Sequence, residues 1–176
     1  MKSKLKGRWF YEHTREEDSN DLRVQSHERN LAVTEFLPDG SFNEEGHIII
    51  KNVEDGSKYE YFLLLHASGT WNLIEETLYV RYTDLKVVLE EAFVDDVIVF
   101  DIGTLSEIEK NILKGVPKSK TIESKIISLT DAKMVSELLN DKGLFETITH
   151  HKTLKAYSRY YLRTLAFTIT HLFTSL

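Results

Sequence analysis

Seven histidines and 28 acidic residues are the groups in this 176-residue chain from which a metal site or an acid–base pair would be built. Their spacing supports neither. His150 and His151 are adjacent in "LFETITHH", a run that reads as a strand, so they point to opposite faces and cannot both ligate one ion. The acid pairs Glu75–Glu76, Glu90–Glu91 and Asp95–Asp96 are likewise chain neighbours, which suits a solvated face. "GVPKSKT" at 115–121 lacks the second glycine of a phosphate-binding loop and follows a helical pattern where that loop follows a strand. There is no Gly-x-Ser-x-Gly elbow, no His-Glu-x-x-His and no EF-hand loop. The chain has no cysteine, which excludes disulfides, thiolate nucleophiles and Cys-ligated metal centres. The sequence therefore assigns no catalytic residue, no metal ligand and no cofactor, and it points away from an enzyme.

Composition narrows the partners. A net charge of −6 argues against nucleic acid. The charge is uneven: residues 75–109 hold ten acids and two bases, and 142–176 five bases and one acid. The basic aromatic run "HHKTLKAYSRYYLR" reads as a surface complementing that acidic middle. "LRTLAFTITHLFTSL" is apolar but carries Arg163 and His171 and is shorter than the roughly 20 residues a membrane helix needs, so no transmembrane segment is expected. "MKSKLKGRW" is basic without an apolar stretch behind it, as in a cytoplasmic protein or a periplasmic one whose export signal has been removed.

The elements that must position any site are strands. "PDG" at 38–40 and "EDG" at 54–56 each separate two apolar runs, as hairpin turns do. The runs "LAVTEFL", "HIIIKNV", "YEYFLLLHA", "LYVRYT", "KTIESKIISL", "AKMVSELL" and "LFETITHH" are rich in β-branched and aromatic residues. With "GRWFYEH" and the run from Gly69 they make eight to ten strands, with nothing resembling a βαβ crossover. A mainly β, antiparallel barrel in a single domain over 1–176 is the expectation. "TLSEIEKNILKG" breaks the pattern: a capping box of Thr104 with Glu107, then Gly115 and Pro117 as a stop, predicts a helix over 104–114 within an insertion at 103–118. Leu162, Leu165, Ala166, Ile169, Leu172, Phe173 and Leu176 predict an amphipathic helix over 160–176. Residues 84–94 fit helix and strand equally.

Two strands are apolar on both faces. In "YFLLLH", Tyr61, Leu63 and Leu65 share one face and Phe62 and Leu64 the other, and "HIII" behaves similarly. Such strands need cover on both sides. One side is the barrel interior, and the other is either the carboxy-terminal helix or a second copy of the chain.

The two tryptophans, Trp9 and Trp71, each follow a glycine by two residues, Gly7 and Gly69. A glycine there lets the strand bend or another backbone approach, and a Trp just beyond it can plug the narrow end of a barrel. Trp71 lies nearer a strand end, so its loss is expected to cost less than that of Trp9. "LKGRWFYEH", "TEFLPDGSF" and "SGTWNLIEETLYVRYTD", over roughly residues 5–160, resemble bacterial lipocalin-like domains of the calycin type. The resemblance implies an up-and-down barrel closed at one end by Gly7 and Trp9, with a basic residue from the last strand, Arg159 or else Arg163, packed over Trp9. The insertion at 103–118 and the absence of the family's disulfide depart from the pattern. Some barrels of this class bind haem through a late-strand histidine, a place His150 or His151 would fill, but their glycine-rich first-strand signature is missing.

Two functions follow. One is a binding protein holding a small apolar or amphipathic ligand against Tyr11, His13, Tyr59, Tyr61, Leu63, Val80 and Tyr82. The other is a protein–protein interaction module, its barrel filled by its own side chains, that forms homo-oligomers through its apolar strand faces or carboxy-terminal helix.

Overall fold

Hairpin turns set the topology, and positive backbone angles make them. At the first "DG" turn Gly40 has φ +88°, and at the second Asp55 and Gly56 have φ +50° and +87°. Two successive positive angles match the right-handed twist of the strands they join. Asp95 and Asp96, at +50° and +64°, make a similar turn without a glycine. Aspartate tolerates this region better than most side chains.

The computed structural model describes residues 1–18, 24–114, 120–139 and 143–153. Among them the chain forms α1 (Lys2–Leu5), β1 (Gly7–Asp18), β2 (Val24–Phe36), β3 (Ser41–Glu54), β4 (Ser57–Ile74), β5 (Thr77–Val94), β6 (Val97–Ile98), α2 (Ile102–Lys114), β7 (Lys120–Leu129), β8 (Lys133–Leu139) and β9 (Phe145–Thr153). Strands β1 to β5 form one antiparallel meander and β7 to β9 another. Pairing of β5 with β7 and of β1 with β9 closes them into an eight-stranded up-and-down barrel, with β6 added to the far end of β5.

Residues 84–94, ambiguous by pattern, are strand, because their pairing with β4 continues to Val94. The inserted helix starts two residues before the expected Thr104. Its cap is Asp101, whose Oδ2 accepts from the Thr104 amide at 2.7 Å and the Thr104 hydroxyl at 2.8 Å, so Thr104 belongs to the first turn. The helix expected over 160–176 lies outside the described residues, as do Arg159 and Arg163.

One end of the barrel is closed by a cluster of large side chains. Leu5 from α1, Trp9, Phe36, Phe42, Trp71, Leu78, Ile126 and Met134 form a single buried cluster. The Trp9 indole donates to the Leu5 carbonyl at 2.6 Å and the Trp71 indole to the Leu37 carbonyl at 3.1 Å, so neither buried N–H goes unpaired. A lysine ammonium covers each ring: Lys152 of β9 lies 5.1 Å from the Trp9 centroid, and Lys2 5.4 Å from that of Trp71. The basic residue over Trp9 is thus Lys152.

The two glycines serve different ends. Gly7, with φ +109°, turns α1 into β1. Gly69 sits at a β-bulge against β5, where a Cβ would overlap the Arg81 carbonyl and the Phe42 ring. On the outer face of the first strands, Leu31 and Ile49 are buried with Phe10 and Phe62 around them. Both faces of this wall are therefore apolar.

Trp71 is only 4% exposed and shares the core of Trp9, so the strand-end position that made it look expendable does not lower its burial. Trp9→Ala and Trp71→Ala should each cost about 3–5 kcal/mol in urea unfolding, the usual loss for a core tryptophan. A cost below about 1 kcal/mol at either position would mean that this end is not close-packed.

Candidate functional site: the barrel interior

Above the aromatic plug the inward face changes character. Register places Glu44 of β3 between Thr34 of β2 and Ala67 of β4, Tyr11 of β1 between Ala32 of β2 and His150 of β9, and Tyr82 of β5 between Gly69 of β4 and Lys120 of β7. Small neighbours at Ala32, Ala67 and Gly69 leave room for the three large polar side chains to meet inside the barrel. Gly46 lets β2 and β3 approach closely, since a Cβ there would strike Ala32 and the Leu31 carbonyl.

Glu44 is buried, 5% exposed, and three hydroxyls converge on it. Thr34 donates to Oε2 at 2.5 Å, Tyr82 to Oε1 at 3.2 Å, and the Tyr11 hydroxyl completes the set. Burial raises the carboxyl's pKa from its ordinary value, opposed by these bonds from Thr34, Tyr82 and Tyr11. Burial, with the nearby Glu44 charge, holds both phenols well above their usual range, so they remain donors at any physiological pH. Edge-on packing of Phe42 against Tyr82 at 5.1 Å joins this polar layer to the plug beneath.

The layer separates two cavities. The larger, about 430 Å³, opens away from the plug and falls within the roughly 300–1,000 Å³ range of small-molecule sites. Its walls are aliphatic, from Ile48 and Ile50 of β3, Leu63 and Leu65 of β4, Leu85 and Val87 of β5 and Ile122 of β7. Its polar groups are Glu44, Tyr11 and Tyr82 below, with Glu28, Asn30 and Lys120 also on the lining, and Asn30 Nδ2 donates to Glu28 at 2.7 Å. The smaller cavity, about 90 Å³, lies on the plug side and is lined partly by Thr34, Ser124, Ser136 and His150. The Ser136 hydroxyl and His150 Nε2 are 3.3 Å apart. Burial, with a smaller push from His151, lowers the His150 pKa to about 4.

The residues singled out from sequence fall in three places. Tyr11, Leu63 and Tyr82 line the larger cavity, and Val80 lines the smaller one. Tyr59 and Tyr61 stack at 6.5 Å on the inward face of β4, two steps and one step nearer the mouth than Leu63. His13 lies 3.2 Å from Glu146 of β9, an ion pair whenever the imidazole is protonated, just past the last backbone pair of that seam. Glu44 was missed. The signal for it was present in "FNEEGHI", where an acid alternates in step with Phe42, Ile48 and Ile50, but a charge beside a second glutamate reads as solvated.

Among the described residues, no group of three or more His, Asp or Glu side chains is placed to hold a metal ion, and no helix is long and apolar enough to cross a membrane. Set against models of known protein families and against curated proteins, the chain matches none. The class of the protein therefore rests on its architecture, a closed eight-stranded antiparallel barrel with one plugged end and an internal cavity.

A buried carboxyl and a half-buried imidazole should shape stability against pH in opposite directions. His150 binds its proton more weakly folded than unfolded, so the stability it contributes is present above pH 6.5 and is lost as pH falls toward about 4. Glu44 binds its proton more strongly when folded, so its contribution is present at low pH and is lost as pH rises past the ordinary glutamate range. In urea unfolding across pH 4–8, His150→Gln should remove roughly 2–3 kcal/mol of the acid-side loss. Glu44→Gln should gain on the wild type as pH rises. Parallel pH curves for all three proteins would show that neither group is buried as described.

Proposed function

We propose that the protein is a lipocalin-like, non-enzymatic binding barrel that holds a small apolar or amphipathic molecule in the larger cavity. One observation carries the reading: an aliphatic cavity of about 430 Å³ with a few convergent polar groups at its base. The plug supports it, because Gly7, Trp9 and a covering basic residue close one end as the resemblance implies, with Lys152 in that role.

The competing reading, an interaction module with a filled barrel, fits less well. The interior is not filled, and Leu31 and Ile49, the outer-face residues that would form a strand-mediated interface, are 1% and 2% exposed within a single chain.

An environment-sensitive naphthalene dye should bind saturably with micromolar affinity. Leu63→Arg, which places a charge in the cavity wall, should abolish the signal. Glu60→Ala should leave it unchanged, because Glu60 pairs with Lys51 at 2.9 Å on the opposite face of the sheet. Linear, non-saturating emission from the wild type, or equal binding by Leu63→Arg, would count against an internal site.

A further inference from the structure

We infer that the cavity selects ligands with a protonated amine head, which docks on the Glu44 carboxylate while an aliphatic tail lies along Ile48, Ile50, Leu63 and Leu65. This rests on the binding-barrel reading and adds to it the chemistry of the ligand.

A carboxylate offers about four acceptor positions on its two oxygens. Thr34, Tyr82 and Tyr11 occupy three, which holds the group rigidly and leaves one position for a donor. Glu44 lines both cavities, so that position is reachable from the larger one. A buried charge is costly unless paired and hydrogen-bonded, and the three hydroxyls supply hydrogen bonds without supplying charge. A cationic head provides what is missing.

The other charged groups agree. Among the described residues the cavity presents two carboxyl groups, Glu44 and Glu28, against one ammonium, Lys120. Lys120 is exposed at the start of β7, where solvent and salt screen it, whereas Glu44 is buried. His150 faces the smaller cavity, and burial keeps it neutral near pH 7, so it offers no cation to compete for Glu44. A fatty acid entering head-first would place its carboxylate against Glu44. The walls are aliphatic, which favours a flexible alkyl body over a flat charged one.

Decylamine, decanol and decanoate, which share a tail and differ in the head, separate the possibilities by isothermal titration calorimetry at neutral pH with the full chain. Decylamine should bind at least about tenfold tighter than decanoate, with decanol between them. Glu44→Gln should lose about tenfold or more of the decylamine affinity and leave decanol within about twofold, while Glu60→Gln, on the outer face of the sheet, should change decylamine by no more than about twofold. Decanoate binding as well as decylamine, or an unchanged preference in Glu44→Gln, would overturn the amine assignment and leave the binding barrel standing. If none of the three saturates, the binding barrel itself fails. Should Glu44→Gln not fold, the wild-type ratio of decylamine to decanoate decides alone.

Discussion

The seam between the first and last strands is the constraint on which the barrel depends. β1 and β9 share only four paired positions, Arg8 to Tyr11 against Thr153 to His150, whereas β4 and β5 pair along nearly their whole lengths. A short seam joining strands at opposite ends of the chain carries a loop-closure cost and few backbone bonds to offset it. Side chains reinforce it at each level. Lys152 lies over the Trp9 ring and donates to the Lys4 carbonyl at 3.0 Å, tying β9 to the plug and to α1. Tyr11 packs on His150 at 5.2 Å, and His13 meets Glu146 where backbone pairing has ended. Tyr11 thus serves both the closing seam and the polar layer.

From this closure follows a gradient along the barrel axis. Aromatic, aliphatic and sulfur-containing side chains fill one end, a layer of hydroxyls surrounds a single carboxyl above them, and aliphatic walls stand apart beyond. Each layer needs the one beneath it. The Phe42–Tyr82 contact fixes one of the donors that hold Glu44. The cavity remains open because β2 to β5 run longer than β7 to β9. Beyond Tyr82 the fifth strand parts from β7, so the long wall rises past the short one.

Most of the architecture was legible in the sequence, because strand alternation and turn chemistry are local. The Gly-x-Trp pair located the plug, the "DG" turns located two hairpins, and the doubly apolar "YFLLLH" and "HIII" located the wall that is buried on both sides. Where local signals competed, the pattern misled. Residues 84–94 carry helical spacing as good as their strand spacing, and only pairing with β4 decides between them. Asp101 capped the helix in place of Thr104, because a capping acid and a capping hydroxyl three residues apart each look like a start. The site was harder to see. Tyr11, Leu63 and Tyr82 follow from alternation on their own strands. Glu44 acquires its meaning from Thr34, Tyr11 and Tyr82, which lie on three other strands, and no single-strand pattern carries that information.

The central claim is that a ligand enters between the aliphatic walls and stops at the hydroxyl layer. Methyl-labelled NMR of the isoleucine, leucine and valine side chains, recorded while decylamine is added, tests it most directly. The account predicts saturable shifts at Ile48, Ile50, Leu63, Leu65 and Val87, with Leu5, Leu78 and Ile126 in the plug and Leu31 and Ile49 on the outer face unmoved. Shifts centred on Leu31 and Ile49, with the cavity methyls silent, would contradict it.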